Sequence, residues 1–387
     1  MFFLLGIGCV PGIGVANVCL ALCLASALAW RWQARKAGED FLGPFRRTTP
    51  VHAPVAAFVL LSIASCFFST LPSTSLIQIK GFGTFLLVVF AAALLDDEAD
   101  VKLAVDVWRT TALYLVLRGF AEWISGSPSL DFRIAGGLSV YMTYAGLLLV
   151  FVPLLGARGV SGGSRWARVA DIAVALAGAL AMTLTLTRGA YLGLAVGFVA
   201  VLLAARPRLA LLAPFMIALF FVLMPLPVRD RLASATNPRD VTMNDRVAMW
   251  KAGRAMVAEH PLTGVGPGRV KPLYPSYRVP GWVTPIPGHL HNNLVMIAAE
   301  TGIPSLLAYL AFVGAFFLGA LRILRRAPRG DPARGVTLGA IGAMAALFAA
   351  GMFEYNFGDV EVLMATLVVA TLPFAAARST RSARPAD

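Results

Sequence analysis

Apolar residues run along this chain in long blocks separated by short polar stops. Blocks of roughly 17 to 25 such residues are long enough to cross a hydrocarbon core of about 30 Å as helices. The pattern predicts spans over 53–71, 76–95, 101–124, 138–155, 169–186, 190–204, 209–226, 303–321, 335–353 and 359–377. Residues 2–30 add one or two more, because Pro11, Gly12 and Gly14 interrupt that run, which brings the expected total to 11 or 12. A transmembrane β-barrel would show short alternating stretches instead, so the expected fold class is an all-α polytopic membrane protein. No cleavable signal peptide is expected, since the basic residues follow the first apolar run rather than precede it.

Composition agrees with the pattern. Of 387 residues, 58% are hydrophobic and 14% charged, with mean hydropathy +0.75; a soluble domain carries about 25% charged residues. The short loops divide by charge. Arg31, Arg35, Lys36, Arg46 and Arg47 fall in one, Arg158, Arg165 and Arg168 in another, Arg206 and Arg208 in a third, and Arg322, Arg325, Arg326, Arg329 and Arg334 in a fourth. Counting spans puts all four on one side with the basic tail at Arg378 and Arg381, and the lysine and arginine bias assigns that side to the cytoplasm. The opposite side receives the loops near Pro72, 125–136 and 354–358, and a long polar block over 228–293. The chain thus divides into N-terminal helices (1–227), an exported loop region (228–293), and C-terminal helices with a cytoplasmic tail (294–387). Much of the net charge of +13 is topological, so nucleic acid is not an expected partner. Cys9, Cys19, Cys23 and Cys66 lie in or beside spans and away from the histidines, which suggests neither a disulfide framework nor a Cys/His zinc site.

The exported block holds nine Lys/Arg against four acids. One reading is a solvated surface; the other is an anion site, because arginine forks match phosphate oxygens. Within it, 244–259 reads as a helix with Asn244 as N-cap and Asp245 in its first turn, stopped by His260-Pro261 and a glycine-rich run. Arg246, Trp250 and Arg254 follow at i, i+4 and i+8, on one face. Residues 272–288, with five prolines, are expected as an extended loop rather than a regular helix. That loop leads to His289 and His291, and from Asn292 onward a helix re-enters the membrane. The positive end of its dipole disfavours imidazolium, which suits a proton acceptor. A capping or surface role, or metal ligation by the two histidines, are the competing readings of this pair. Arg188 emerges from its span on the same side, where it either snorkels or joins Arg246, Arg254 and His291.

Taken in order, Thr187-Arg188-Gly189-Ala190, Asp245-Arg246 with Trp250, His260-Pro261-Leu262-Thr263-Gly264-Val265-Gly266, His291-Asn292-Asn293 and Ala299-Glu300-Thr301-Gly302-Ile303-Pro304 resemble the O-antigen ligase and polymerase superfamily of bacterial envelope glycosyltransferases. The resemblance is to the lipopolysaccharide O-antigen ligases above all. It implies a GT-C type fold in the bacterial inner membrane, with the active site facing the periplasm. It also implies transfer of O-antigen glycan from undecaprenyl pyrophosphate to a hydroxyl of lipid A-core; because arginines can neutralise the charge growing on a lipid pyrophosphate, an inverting, metal-independent step with no cofactor is expected. Arg188, Arg246 and Arg254 would hold the donor pyrophosphate and His291 would be the base, with His289, Glu300 and Arg133 as auxiliaries. Where relatives often carry an Arg/Gly stretch with a histidine or asparagine, this chain has Arg133-Ile134-Ala135-Gly136-Gly137 followed by Val140-Tyr141. Two alternatives stand beside the ligase: a polymerase extending undecaprenyl-linked repeats, and a membrane transporter or lipid flippase. A transporter would place its polar residues at the bilayer midplane in repeated broken helices, whereas here they cluster at one interface.

Overall fold

A computed structural model describes residues 13–126, 133–212, 241–279, 286–328 and 330–382, with positions 214, 215, 218, 229 and 284. The expected span at 209–226, the start of the 2–30 run and the part of the polar block at 230–240 fall largely outside the described residues. Every regular element among the described residues is helical: α1 (Ile13–Lys36), α2 (His52–Phe67), α3 (Pro72–Leu94), α4 (Glu98–Ile124), α5 (Tyr141–Ser161), α6 (Arg165–Leu184), α7 (Arg188–Ala205), α8 (Val241–Glu259), α9 (Val270–Tyr277), α10 (Asn293–Arg326), α11 (Pro332–Ala350) and α12 (Val360–Ser382). Seven of them, α3, α5, α6, α7, α10, α11 and α12, are long and apolar enough to cross a membrane, and α2 is a shorter apolar helix. The chain is a multi-pass, all-α membrane protein.

Helix α4 covers the span expected at 101–124 but carries Lys102, Asp106, Arg109, Arg118 and Glu122. Charge in such a helix must be paired. Asp171 of α6 binds Arg109 of α4 at 3.2 Å and Arg158 of α5 at 3.0 Å, and Arg158 also reaches Asp106 at 2.8 Å. This quartet locks three helices together near the end of the bundle opposite His291.

Among the described residues, helices α5, α11 and α12 are buried along most of their length, while most of α6 and α7 is not. α7 lies close against α11 because Gly193 and Gly197 carry no side chain: a Cβ there would stand 2.6 Å from Ala346 O and from Gly342 O. Small residues let helix backbones approach where lipid offers no hydrophobic drive for association.

Helix α10 is broken at Gly302, whose φ of 84° and ψ of 170° suit glycine alone. Pro304 lacks an N–H and so frees the Glu300 carbonyl. The 260–268 loop fills the gap: Val265 N–H donates to Ala299 O (2.8 Å), Gly266 N–H to Glu300 O (2.9 Å), and Ile303 N–H donates to Pro261 O (2.8 Å). The corner between α2 and α3 holds the loop from behind, with Ser65 Oγ donating to Thr263 O (2.6 Å) and Ser75 Oγ to Pro267 O (2.9 Å). The part of α10 after the break runs roughly 36 Å at 1.5 Å per residue, enough for a core of about 30 Å, and the turns before the break carry the site.

Two expectations are corrected here. Helix α8 begins at Val241, so Asn244 lies inside its first turns and is not the cap. Asp245 is occupied elsewhere: its carboxylate accepts from Thr284 N–H (3.1 Å) and Thr284 Oγ1, tethering the approach to the histidines. Within the proline-rich stretch, Val270–Tyr277 is helical despite Pro272 and Pro275. Pro272 sits in the first turn, where no intrahelical N–H partner is needed. Tyr274 is fully buried against Met249, Ala252, Met256 and Leu290, so packing outweighs the single bond lost at Pro275.

Candidate functional site

The start of α10 is fixed by its own polar residues. Asn292 is its N-cap, accepting from Leu294 N–H (2.9 Å) and Val295 N–H (3.0 Å), and its amide donates to Met352 O (2.9 Å). Asn293 N–H donates to Gly351 O at 2.7 Å. His291 therefore sits immediately before the helix, as the pattern predicts, pressed against the corner between α11 and α12. Its φ of 47° is left-handed. Only Leu186 shares that conformation among the described non-glycine residues, and it precedes Thr187 and Arg188. Such backbone strain costs of order 1–3 kcal/mol and collects at functional sites.

Glu354, on the corner, organises the group. Its Oε2 lies 2.9 Å from His291 Nδ1 and 3.8 Å from an Arg246 nitrogen, while Oε1 lies 3.3 Å from His289 Nε2 and accepts from Tyr355 N–H at 3.1 Å. Burial opposes ionisation of this carboxyl, but the His291 hydrogen bond and the electrostatic attraction of His291, His289 and Arg246 for the carboxylate outweigh it and hold it below the usual carboxylate range. Burial pushes His289 down to about 4, against the pull of Glu354. Its hydrogen bonds fit a neutral ring: His291 N–H donates to Nδ1 at 3.3 Å, leaving Nε2–H to face Glu354. The two imidazoles lie 4.2 Å apart between centroids.

On the other side of Glu354 opens a narrow cleft between α5, α7 and α11, lined by Thr187, Gly189, Ala190, Arg246, Ala350, Phe353, Glu354 and Asn356, with Met142, Ala145, Gly146 and Leu149 below. One end is polar, with Arg246 beside Glu354, and the other is apolar. Arg188 is the first residue of α7 and half-buried; its neighbours Thr187 and Gly189 line the cleft, and Arg188 itself does not. Arg246 is largely buried at the rim, Trp250 packs its ring 6.1 Å from Phe353, and Arg254 lies two turns further along α8, exposed.

The auxiliary candidates separate. His289 belongs to the cluster. Glu300 belongs to the joint at Gly302, where its carboxylate accepts from Gly268 N–H at 2.8 Å. Arg133 is buried with its guanidinium 4.4 Å from the Tyr141 ring centroid. The turn after it is anchored by Glu122, whose carboxylate accepts from the N–H groups of Ala135 (2.8 Å), Gly136 (3.0 Å) and Gly137. Glu354 is the residue that sequence reasoning missed. Its one sequence signal was an acid in a short loop on the same side as the histidines.

The ligand atoms of His289, His291 and Glu354 lie within 4.8 Å of one another, a spacing that a metal ion could bridge. The chemistry of the donors speaks for a hydrogen-bonded relay. Glu354 accepts from ring and backbone N–H groups, His289 Nδ1 is taken by the His291 amide, and a guanidinium stands beside the carboxylate where it would repel a cation.

Residues 173–310 match a family model described as O-antigen ligase. Comparison with curated proteins returned no match. The matched stretch holds Arg188, Arg246, Arg254, His289, His291 and Glu300, and ends before Glu354.

Proposed function

We propose, from the match of residues 173–310 to a family model described as O-antigen ligase, that this chain is an O-antigen ligase of lipopolysaccharide biosynthesis. It acts as an inverting, metal-independent glycosyltransferase of GT-C type in the bacterial inner membrane, with its site at the periplasmic face. The donor is a glycan on undecaprenyl pyrophosphate and the acceptor is a hydroxyl of lipid A-core.

The observation that carries this reading is the meeting of Arg246, His291 and Glu354 beside a cleft that is polar at one end and apolar at the other. An amphiphilic anion suits such a cleft. Arg188 and Arg246 take the pyrophosphate at the bundle end, and the isoprenoid runs down between α5, α7 and α11. Guanidinium groups stabilise charge growing on a leaving phosphate by the same electrostatics as a metal ion. His291 removes the proton of the acceptor hydroxyl as it attacks the anomeric carbon. Arg254, exposed on the same face of α8, is placed to meet glycan or phosphate arriving from outside.

The test is reconstitution. The purified full chain is given undecaprenyl-pyrophosphate glycan with either lipid A-core or a second donor molecule as acceptor. A single-step product on lipid A is the expected result. A ladder on undecaprenyl would identify a polymerase, and no product with either would return the transporter reading.

A further inference from the structure

His291 and Glu354 are 63 residues apart in the chain, yet their side chains meet at 2.9 Å through Nδ1 and Oε2. A carboxylate only accepts hydrogen bonds, so the nitrogen facing it must carry the proton. In a singly protonated imidazole the lone pair is then on Nε2. We propose that Glu354 is a positioning residue for the transfer reaction: it holds His291 by Nδ1–H, so that Nε2 is the atom that takes the acceptor's proton. This inference rests on the reading of His291 as the base.

Three features make Glu354 suited to that task. It is anchored, because Tyr355 N–H holds Oε1 while Asn292 and Asn293 pin the neighbouring backbone at Met352 and Gly351. It is buried, so its attraction for His291 is little screened. It is also shared, since the oxygen that meets His291 is the one nearest Arg246, which joins the donor-side cation to the base through one carboxylate. The other titratable groups facing the pair are His289, with Tyr355 against its ring, and Asp359 at the start of α12.

In the step itself the acceptor oxygen bonds to the anomeric carbon and its proton passes to His291 Nε2. The bond from that carbon to the pyrophosphate oxygen breaks, and its electron pair leaves with the pyrophosphate. Glu354 gains no proton. It stabilises the imidazolium, as an orienting carboxylate does behind a histidine base.

Two measurements test this. The first needs no substrate. In detergent-solubilised full-length protein carrying ¹⁵N-histidine, the chain's four histidines are resolved by NMR, and the His291 signal is assigned by its loss in His291→Asn. At neutral pH the expected tautomer has Nδ1 protonated and Nε2 bare, with the bias lost in Glu354→Ala; a wild-type His291 protonated on Nε2 alone would overturn the proposal. The second is kinetic. Glu354→Gln keeps an acceptor oxygen but removes the charge, and it should lower kcat by about 10²- to 10⁴-fold, toward the loss seen when the carboxylate behind a histidine base becomes an amide. The KM for donor should hold within about twofold, and the acid limb of the pH–rate profile should move to lower pH. Glu354→Asp should recover part of the rate. An unchanged kcat and acid limb in Glu354→Gln would also overturn the proposal. Absence of transfer by the wild-type chain would instead remove the glycosyltransferase reading, and the tautomer measurement would still decide the role of Glu354.

Discussion

Asn293 donates from Nδ2 to Asn356 Oδ1 at 2.7 Å, joining the first turn of α10 to the corner before α12. Asn293 Oδ1 takes Phe357 N–H at 3.2 Å, and Asn356 Nδ2 passes on to Leu347 O at 3.2 Å. Both asparagines are buried. Asn293→Ala would strand buried donors and acceptors, at about 1–3 kcal/mol. Because this staple holds the backbone that bears Glu354, transfer should fall together with the thermal midpoint; an unaltered melting profile would remove the staple from the account.

His291→Ala should lower transfer by about 10²- to 10⁴-fold, the range for loss of a general base, while the protein still inserts and binds donor. Donor retention is measured by co-purified or added labelled lipid. Full activity in this variant would disprove the base assignment.

Arg246→Ala and Arg188→Ala should each cost about 10- to 100-fold in kcat/KM for the donor, from about 1.5–3 kcal/mol per charged hydrogen bond. Arg254 is exposed two turns beyond Arg246, and Arg254→Ala should be milder. Equal losses at all three positions would show that α8 binds donor along its length. Activity should survive a chelator, and loss of transfer on chelation would contradict the metal-independent reaction.

Acid should loosen the site. His289, held down at about 4 by burial, binds a proton less readily folded than unfolded. Its contribution to stability is therefore whole above about 6.5 and is lost as pH falls from there toward 4. Glu354, held below its usual range by its partners, acts with the same sign at the lower end of that window. Melting temperature measured across it should decline on the acid side, and His289→Gln should flatten the decline between about 6.5 and 4.

Gly302→Ala should destabilise the protein by about 1–3 kcal/mol or more. The backbone there suits glycine alone, and an added Cβ would stand 2.2 Å from Leu262 O. The expected readout is a lowered thermal midpoint, with protease sensitivity appearing first in the 260–268 loop.

The polar pattern gave early notice of part of this site. Arg188, Arg246 and His291 stood out as cations and histidines in a chain that avoids charge, and counting spans put them on one side. Glu354 and Asn356 did not stand out, because a short corner carries no periodicity and their partners lie 63 residues away. Glu300, an auxiliary candidate, has its carboxylate on Gly268 N–H beside the break at Gly302, a contact that no spacing along the chain announces.

Alone, the sequence determined the solvent the protein lives in and the helices that result, because apolar blocks of membrane length have no other way to satisfy their backbone in lipid. It also determined the short-range devices, such as the Asn292 cap and the Gly302–Pro304 break, whose causes lie within a few residues. Tertiary structure decided which polar groups share a charge. Glu354 meets His291, His289 and Arg246 only because α11 and α12 bring their corner to the start of α10, and such a meeting is set by helix packing rather than by spacing along the chain.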